Sequence, residues 1–196
     1  TAASHNRVFM VEVMGHKAGW LTLNAGMAGG ADIILIPEIP YNIDSVVAKI
    51  DQRANEGHGF TILAVAEGAM SKKEAAMPKK EYKAHMAEVL EKYPSVSYAI
   101  ADKILKKTGK EVRVTVPGHM QRGGTPCAYD RVLSSRLGAT AALMISREEY
   151  GNMVAIQDHV ITSVPLKEVA GKLKTIDPQS DIITEARLLG ISFGDD

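Results

Sequence analysis

Cysteine is almost missing. Cys127 is the single one in 196 residues, so no internal disulfide can form and nothing points to a secreted, disulfide-stapled fold. Aromatic side chains are scarce too, at 5 % with three Phe and one Trp, and nine Met take their place as adaptable core fillers. Neither sign of charge is in excess: 23 Lys and Arg face 23 Asp and Glu. That excludes the broad basic surface of a nucleic-acid binder, and any anion site has to be local, built by a few placed side chains. No apolar run approaches the roughly 20 residues needed to span a bilayer. Thr1–Arg7 is polar and lacks the apolar stretch of a signal peptide. The expectation is a cytoplasmic protein with neither nucleic-acid nor membrane partners.

What is present is enough apolar sequence, 45 %, for a proper core. Arg7–Val13 is predicted as a strand, followed by a loop over Met14–Gly19 and a helix from about Trp20 to Ala28 that Gly29-Gly30 stops. Asp32–Ile36 is nearly all apolar, as suits a strand covered on both faces. A helix capped by Asn42 or Asp44 runs to about Asn55, and Phe60–Ala66 is a third strand. Strand and helix in alternation predict an α/β fold, a three-layer α/β/α sandwich on a mostly parallel sheet.

Residues from about 69 to 110 break that rhythm and form a Lys- and Glu-rich helical insertion, with helices over Lys80–Lys92 and Ser95–Lys107 and a stop at Gly109. Its charges read as a solvated face. Glu111–Val116 alternates as a strand with Arg113 on one face, Asp130–Ile145 is a helix, and Val154–Ile156 a short strand. Closing helices are expected within about 165–190, over Leu166–Leu173 and Asp181–Leu189.

Chemistry concentrates in three places. Gly118-His119-Met120-Gln121-Arg122-Gly123-Gly124 sets long polar side chains among glycines, between a strand and a helix. The residues alone leave open an anion- or hydroxyl-binding loop or a turn that only caps the next helix. Val11-Glu12-Val13-Met14-Gly15-His16 ends a strand in a glycine turn that opens a helix, where backbone amides can meet an anion or a sugar hydroxyl or where the turn is simply structural. Glu67 stands at the carboxyl end of the third strand beside Gly68, as a hydroxyl acceptor or a surface acid. Arg7 and Arg113 are single arginines, open to phosphate binding or to surface ion pairs. No set of metal ligands is apparent.

Three segments, in order, resemble the phosphofructokinase family. TAASHNR with VEVMGHKAGW is similar to the start of the family's sugar-phosphate domain, AGGADIILIPE to its next strand and loop, and RVTVPGHMQRGGTPCAYDRVLSSRLG to its GHxQRGG signature. The resemblance runs from residue 1 to about residue 156. It implies that Met14, Gly15 and His16 form the turn at the sugar phosphate, and that Glu67 binds a fructose hydroxyl. It also implies that Arg7 and Arg113 reach a neighbouring subunit's 6-phosphate, and that His119 and Arg122, with Met120 and Gln121 between them, contact the substrate. A dianionic phosphate suits guanidinium and imidazole donors. His16 replaces the family's arginine in the turn, so a titratable ring, ~6.5 when free, stands where a permanent charge would be.

The resemblance further implies a 6-phosphofructokinase reaction, phosphoryl transfer from ATP or pyrophosphate with Mg2+ to the 1-hydroxyl of fructose 6-phosphate in glycolysis, within a homo-oligomer, dimer or tetramer. The family's GGDGS-type donor loop and TIDND-type base motif do not occur in these residues. The whole chain, 1–196, is therefore expected to be the fructose 6-phosphate-binding domain of an engineered or processed fragment without its donor-binding N-terminal domain. Alone, it is expected to hold no catalytic residue, to bind no cofactor, to bind sugar phosphate poorly or not at all as a monomer, and to be inactive. A non-catalytic phosphosugar-binding or regulatory module of the same fold is the alternative.

Overall fold

Four strands pair into one all-parallel sheet in the order β2-β3-β1-β4: β1 (Val8–Val13), β2 (Ile33–Leu35), β3 (Thr61–Ala66) and β4 (Val112–Thr115). The computed structural model describes residues 2–5 and 7–195; Asn6 of the SHNR lead lies outside them. They divide into two compact units, one running to Gln121 and resuming at Thr175, the other Arg122–Lys174.

The first unit opens with α1 (Ala2–His5) and carries α2 (Trp20–Ala28) between β1 and β2, and α3 (Ile43–Asn55) between β2 and β3. From β3 the chain passes through α4 (Lys72–Ala75), α5 (Lys79–Lys92) and α6 (Val96–Thr108) to β4. The steps β1 to β2 and β2 to β3 run in opposite directions across the sheet, so right-handed crossovers put α2 and α3 on opposite faces. The step from β3 to β4 again runs the second way, and α6 joins α3.

Period-2 alternation feeds both faces. Ile33, Leu35, Leu63, Val65 and Met10 pack with Val46, Ile50, Ile100 and Ile104 on one side. Ile34, Ile36 and Ala64 pack with Leu23 of α2 and with Ile183 and Phe193 on the other. Ile183 belongs to α9 (Asp181–Leu188), which returns to this unit after the second. Each fully buried side chain of this kind is worth roughly 1.5–3 kcal/mol. The three-layer, mostly parallel arrangement is the one the alternation predicts. At the edge, β4 alternates half-buried and exposed positions.

The charged stretch splits in two. α5 buries no residue, in line with a solvated face. α6 does not follow it, since Ser97, Ala99, Ile100, Ala101 and Ile104 are buried. Its apolar positions at helical spacing make it the crossover helix to β4. Gly109 ends it at φ 69, the left-handed stop expected there.

The second unit holds α7 (Ala128–Ser146), an antiparallel hairpin of β5 (Asn152–Gln157) and β6 (Val160–Pro165), and a single helical turn, α8 (Leu166–Val169). The hairpin is longer than the short strand expected at Val154–Ile156. Asp158 and His159 make its two-residue turn at φ 48 and 66, a geometry usually announced by glycine. The helix expected over Leu166–Leu173 stops at Val169, and Gly171 follows at φ 75.

Candidate functional site

Adjacent strands β1 and β3 send their connections to opposite faces, α2 on one and the α4–α6 segment on the other. The crevice at their carboxyl ends is the switch point where open α/β sheets bind ligands. The turn after β1 and Glu67 after β3 both lie there. Glu67 N donates to Val13 O at 3.0 Å, which continues the ladder past the strand end. The Glu67 carboxylate then reaches across the turn: Oε1 accepts from Gly15 N at 3.2 Å and from His16 N at 2.6 Å. Met14 N donates to Gln121 Oε1 at 3.1 Å.

Two glycines make this turn possible. A Cβ on Gly15 would stand 2.5 Å from Ala18 O, and one on Gly68 would stand 2.2 Å from His16 O. Both obstacles are backbone atoms, which cannot rotate aside. His16 itself takes φ 55, in the left-handed region that His enters more readily than most residues.

Beside the turn opens a cleft of about 430 Å³, within the usual range for small-molecule sites. Glu12, His16 and Glu67 line one side; Met86 and Leu90 of α5 and Ser95 at the start of α6 line another. Glu12 is the residue that sequence reasoning missed. It is only 7 % exposed, faces α6 from the same side of β1 as Met10, and accepts from Ser97 N at 3.0 Å. Its charge sits at the amino end of α6, where the helix dipole favours an anion and where the capping residue Ser95 makes no side-chain bond. An acid inside a run of apolar strand residues was the one signal that could have marked it.

The structure thus brings together Met14, Gly15, His16, Glu67 and Gln121. Arg7 and Arg113 lie elsewhere. Arg7 precedes β1 and Arg113 pairs in register with Phe9, towards the amino end of the sheet. With strands rising about 3.3 Å per residue, Arg7 is roughly 20 Å from the turn. The two arginines share one carboxylate, Glu111, at 3.8 and 3.0 Å. His119 and Met120 are exposed, Met120 by 82 %. Arg122 is exposed and opens the second unit.

At the foot of α5, Glu74 receives Ser71 N and Oγ on one oxygen, while His85 and Lys103 stand 3.2 and 3.8 Å from the other. Burial pushes the Glu74 carboxyl up, but the Ser71 bonds, the Lys103 charge and the His85 contact outweigh it and hold it below the ordinary range. Among the described residues no cluster of three or more His, Cys, Asp or Glu could hold a metal ion, and no helix is long and apolar enough to cross a membrane.

A parallel α/β sheet with a glycine turn, an acid and a polar loop converging on its switch point defines a small-molecule-binding protein of the doubly wound class. Comparison with known proteins narrows that class. The family model for phosphofructokinase matches residues 1–145. ATP-dependent 6-phosphofructokinase of Spirochaeta thermophila is 50 % identical over 195 residues, covering 100 % of this chain and 53 % of that protein. The enzyme of the same description from Chloroflexus aurantiacus is 47 % identical over 196 residues, covering 100 % and 52 %. Among solved structures, phosphofructokinase from Saccharomyces cerevisiae superposes with a TM-score of 0.65 at 31 % identity, over 85 % of this chain and 21 % of that one. A pyrophosphate-dependent phosphofructokinase from Marinobacter aquaeolei gives 0.71 at 24 % identity, over 92 % and 46 %, and speaks to the fold alone. The chain belongs to the phosphofructokinase family, and it spans about half the length of the curated relatives it matches.

Proposed function

We propose that this chain is the fructose 6-phosphate-binding part of a 6-phosphofructokinase, which transfers a phosphoryl group to the 1-hydroxyl of that sugar. The observation that carries the reading is the convergence of the Met14–His16 turn, Glu67 and Gln121 at the sheet's switch point, beside a cleft of sugar size. Glu67 Oε2 and Glu12 Oε1 carry no hydrogen bond among the described residues, so two acceptors remain for sugar hydroxyls. Met86 and Leu90 offer an apolar wall for the sugar's C–H face. His16, His119 and Arg122 supply cationic or polar donors for the phosphate.

ATP is the donor in this reading, because relatives near 50 % identity are described as ATP-dependent. Mg2+ accompanies the donor phosphates in this reading. The share of this half is positioning, which contributes up to roughly 7–11 kcal/mol in well-oriented reactions. Arg7 and Arg113, far from this chain's own turn, serve the phosphate in a second copy, so the working unit is a homo-oligomer in a cytoplasmic setting.

Calorimetric titration of the chain tests the reading. Fructose 6-phosphate is expected to bind more tightly than inorganic phosphate, and Arg122→Ala to weaken it by about 1.5–3 kcal/mol, the worth of one charge-assisted contact. Equal affinity for the two ligands would overturn it.

A further inference from the structure

Three consecutive backbone donors at the end of β1 are already taken by the chain's own side chains. Gln121 Oε1 holds Met14 N, and Glu67 Oε1 holds both Gly15 N and His16 N. These are the amides that the sequence offers as an anion cradle. We propose that Glu67 and Gln121 are positioning residues that lock this turn, so that it serves the substrate through the His16 side chain and not through its amides. The nature of the substrate rests on the sugar-phosphate reading; the lock itself does not.

Several independent features make the assembly a frame. His16 is held at φ 55, in the sparsely populated left-handed region. The bond to its N–H is the shortest of the three, 2.6 Å to a carboxylate, and bonds to an ionised acceptor are stronger than neutral ones. Glu67 cannot drift far, because its own N–H is tied to Val13 O at 3.0 Å. The next residue, Gly68, lies so close to His16 O that a methyl group would not fit. Ala18 N closes the turn from the other side on Gly15 O at 3.0 Å. The carboxylate and the turn therefore move as one body.

The division of labour follows atom by atom. Glu67 spends Oε1 on the frame and keeps Oε2 for the cleft that it lines with Glu12. Gln121 uses its carbonyl oxygen on a residue 107 positions earlier, and its NH2 group remains for a ligand. The signature loop thereby sets the height of the turn above the sheet.

Proton–nitrogen NMR on the 196-residue chain tests the lock directly, with Glu67→Ala, Glu67→Gln and Gln121→Leu beside the unsubstituted protein. The amide protons of Gly15 and His16 should exchange slowly, and that of His16 should resonate downfield. Both properties should persist at saturating fructose 6-phosphate. Glu67→Ala should speed exchange at residues 15 and 16 about tenfold or more while leaving the strand amides unchanged, and should weaken sugar-phosphate binding by a similar factor. Glu67→Gln keeps an oxygen acceptor, and should restore slow exchange and part of the affinity. Gln121→Leu should speed exchange at Met14 alone. Unchanged exchange in Glu67→Ala, or loss of the downfield His16 signal as fructose 6-phosphate saturates the protein, would overturn the proposal. Weaker binding in Glu67→Ala with unaltered amides would make Glu67 a ligand only, and the sugar-phosphate reading would stand without the lock. Failure of the unsubstituted chain to bind fructose 6-phosphate would remove that reading, while the exchange rates would still decide the lock.

Discussion

Gly68 shows how little room single residues have at the turn. Alanine there would place a methyl group 2.2 Å from a backbone oxygen, and overpacking of this kind costs about 1–3 kcal/mol. Gly68→Ala is expected to lower the melting temperature and to weaken sugar-phosphate binding together; an unchanged melt would show that the His16 carbonyl can move aside. At this scale the sequence marked the actors better than their actions. Met14, Gly15, His16, Glu67 and Gln121 were all legible as site candidates. That Glu67 and Gln121 bond to the turn was not, because the contacts join residues 51 and 107 positions apart and exist only once β1 lies between β3 and β4. Glu12 stayed hidden for the same reason: its partner, Ser97, is 85 residues away.

Element by element, periodicity and caps located nearly every helix and strand of the first unit, and the helix expected over about Trp20 to Ala28 forms there. The misses have local causes. Charge in the 69–110 stretch masked the difference between α5, which buries nothing, and α6, which fills the core. In the second unit an Asp-His turn replaced the glycine that would have announced a hairpin. Because α5 buries nothing, Leu90→Asp should leave the melting temperature unchanged within about 0.5 kcal/mol. It should nonetheless weaken fructose 6-phosphate more than inorganic phosphate, since Leu90 lines the cleft; calorimetry with both ligands would read this, and equal effects would place the sugar elsewhere. Glu74 gives the same region a pH dependence. Its carboxyl is held below its ordinary value, so its contribution is complete above the unfolded pKa, near ~4.3, and fades as pH falls through the lower folded one. Glu74→Gln should flatten that acid limb in a series of thermal melts, and an unaltered limb would assign it to other carboxylates.

For the whole molecule, the separation of the turn from Arg7 and Arg113 makes the proposed sharing of sites between copies testable. If each site draws its arginines from a second copy, Arg113→Ala and Glu67→Ala chains carry complementary defects. Equal mixing of the two should restore about one quarter of the tight fructose 6-phosphate sites, as random pairing of a two-fold dimer gives. Titration of the mixture would count them, and no recovery would exclude shared sites. The connection from β3 to β4 has a different reach. The sheet and its two cores are closed by α3, α6, α2 and α9, and α5 hangs from that scaffold while walling the cleft. Change at exposed α5 positions such as Leu90 therefore weighs little on folding and more on what the cleft admits. In a lineage of such proteins, substrate preference can diverge there while the strands beneath it stay the same.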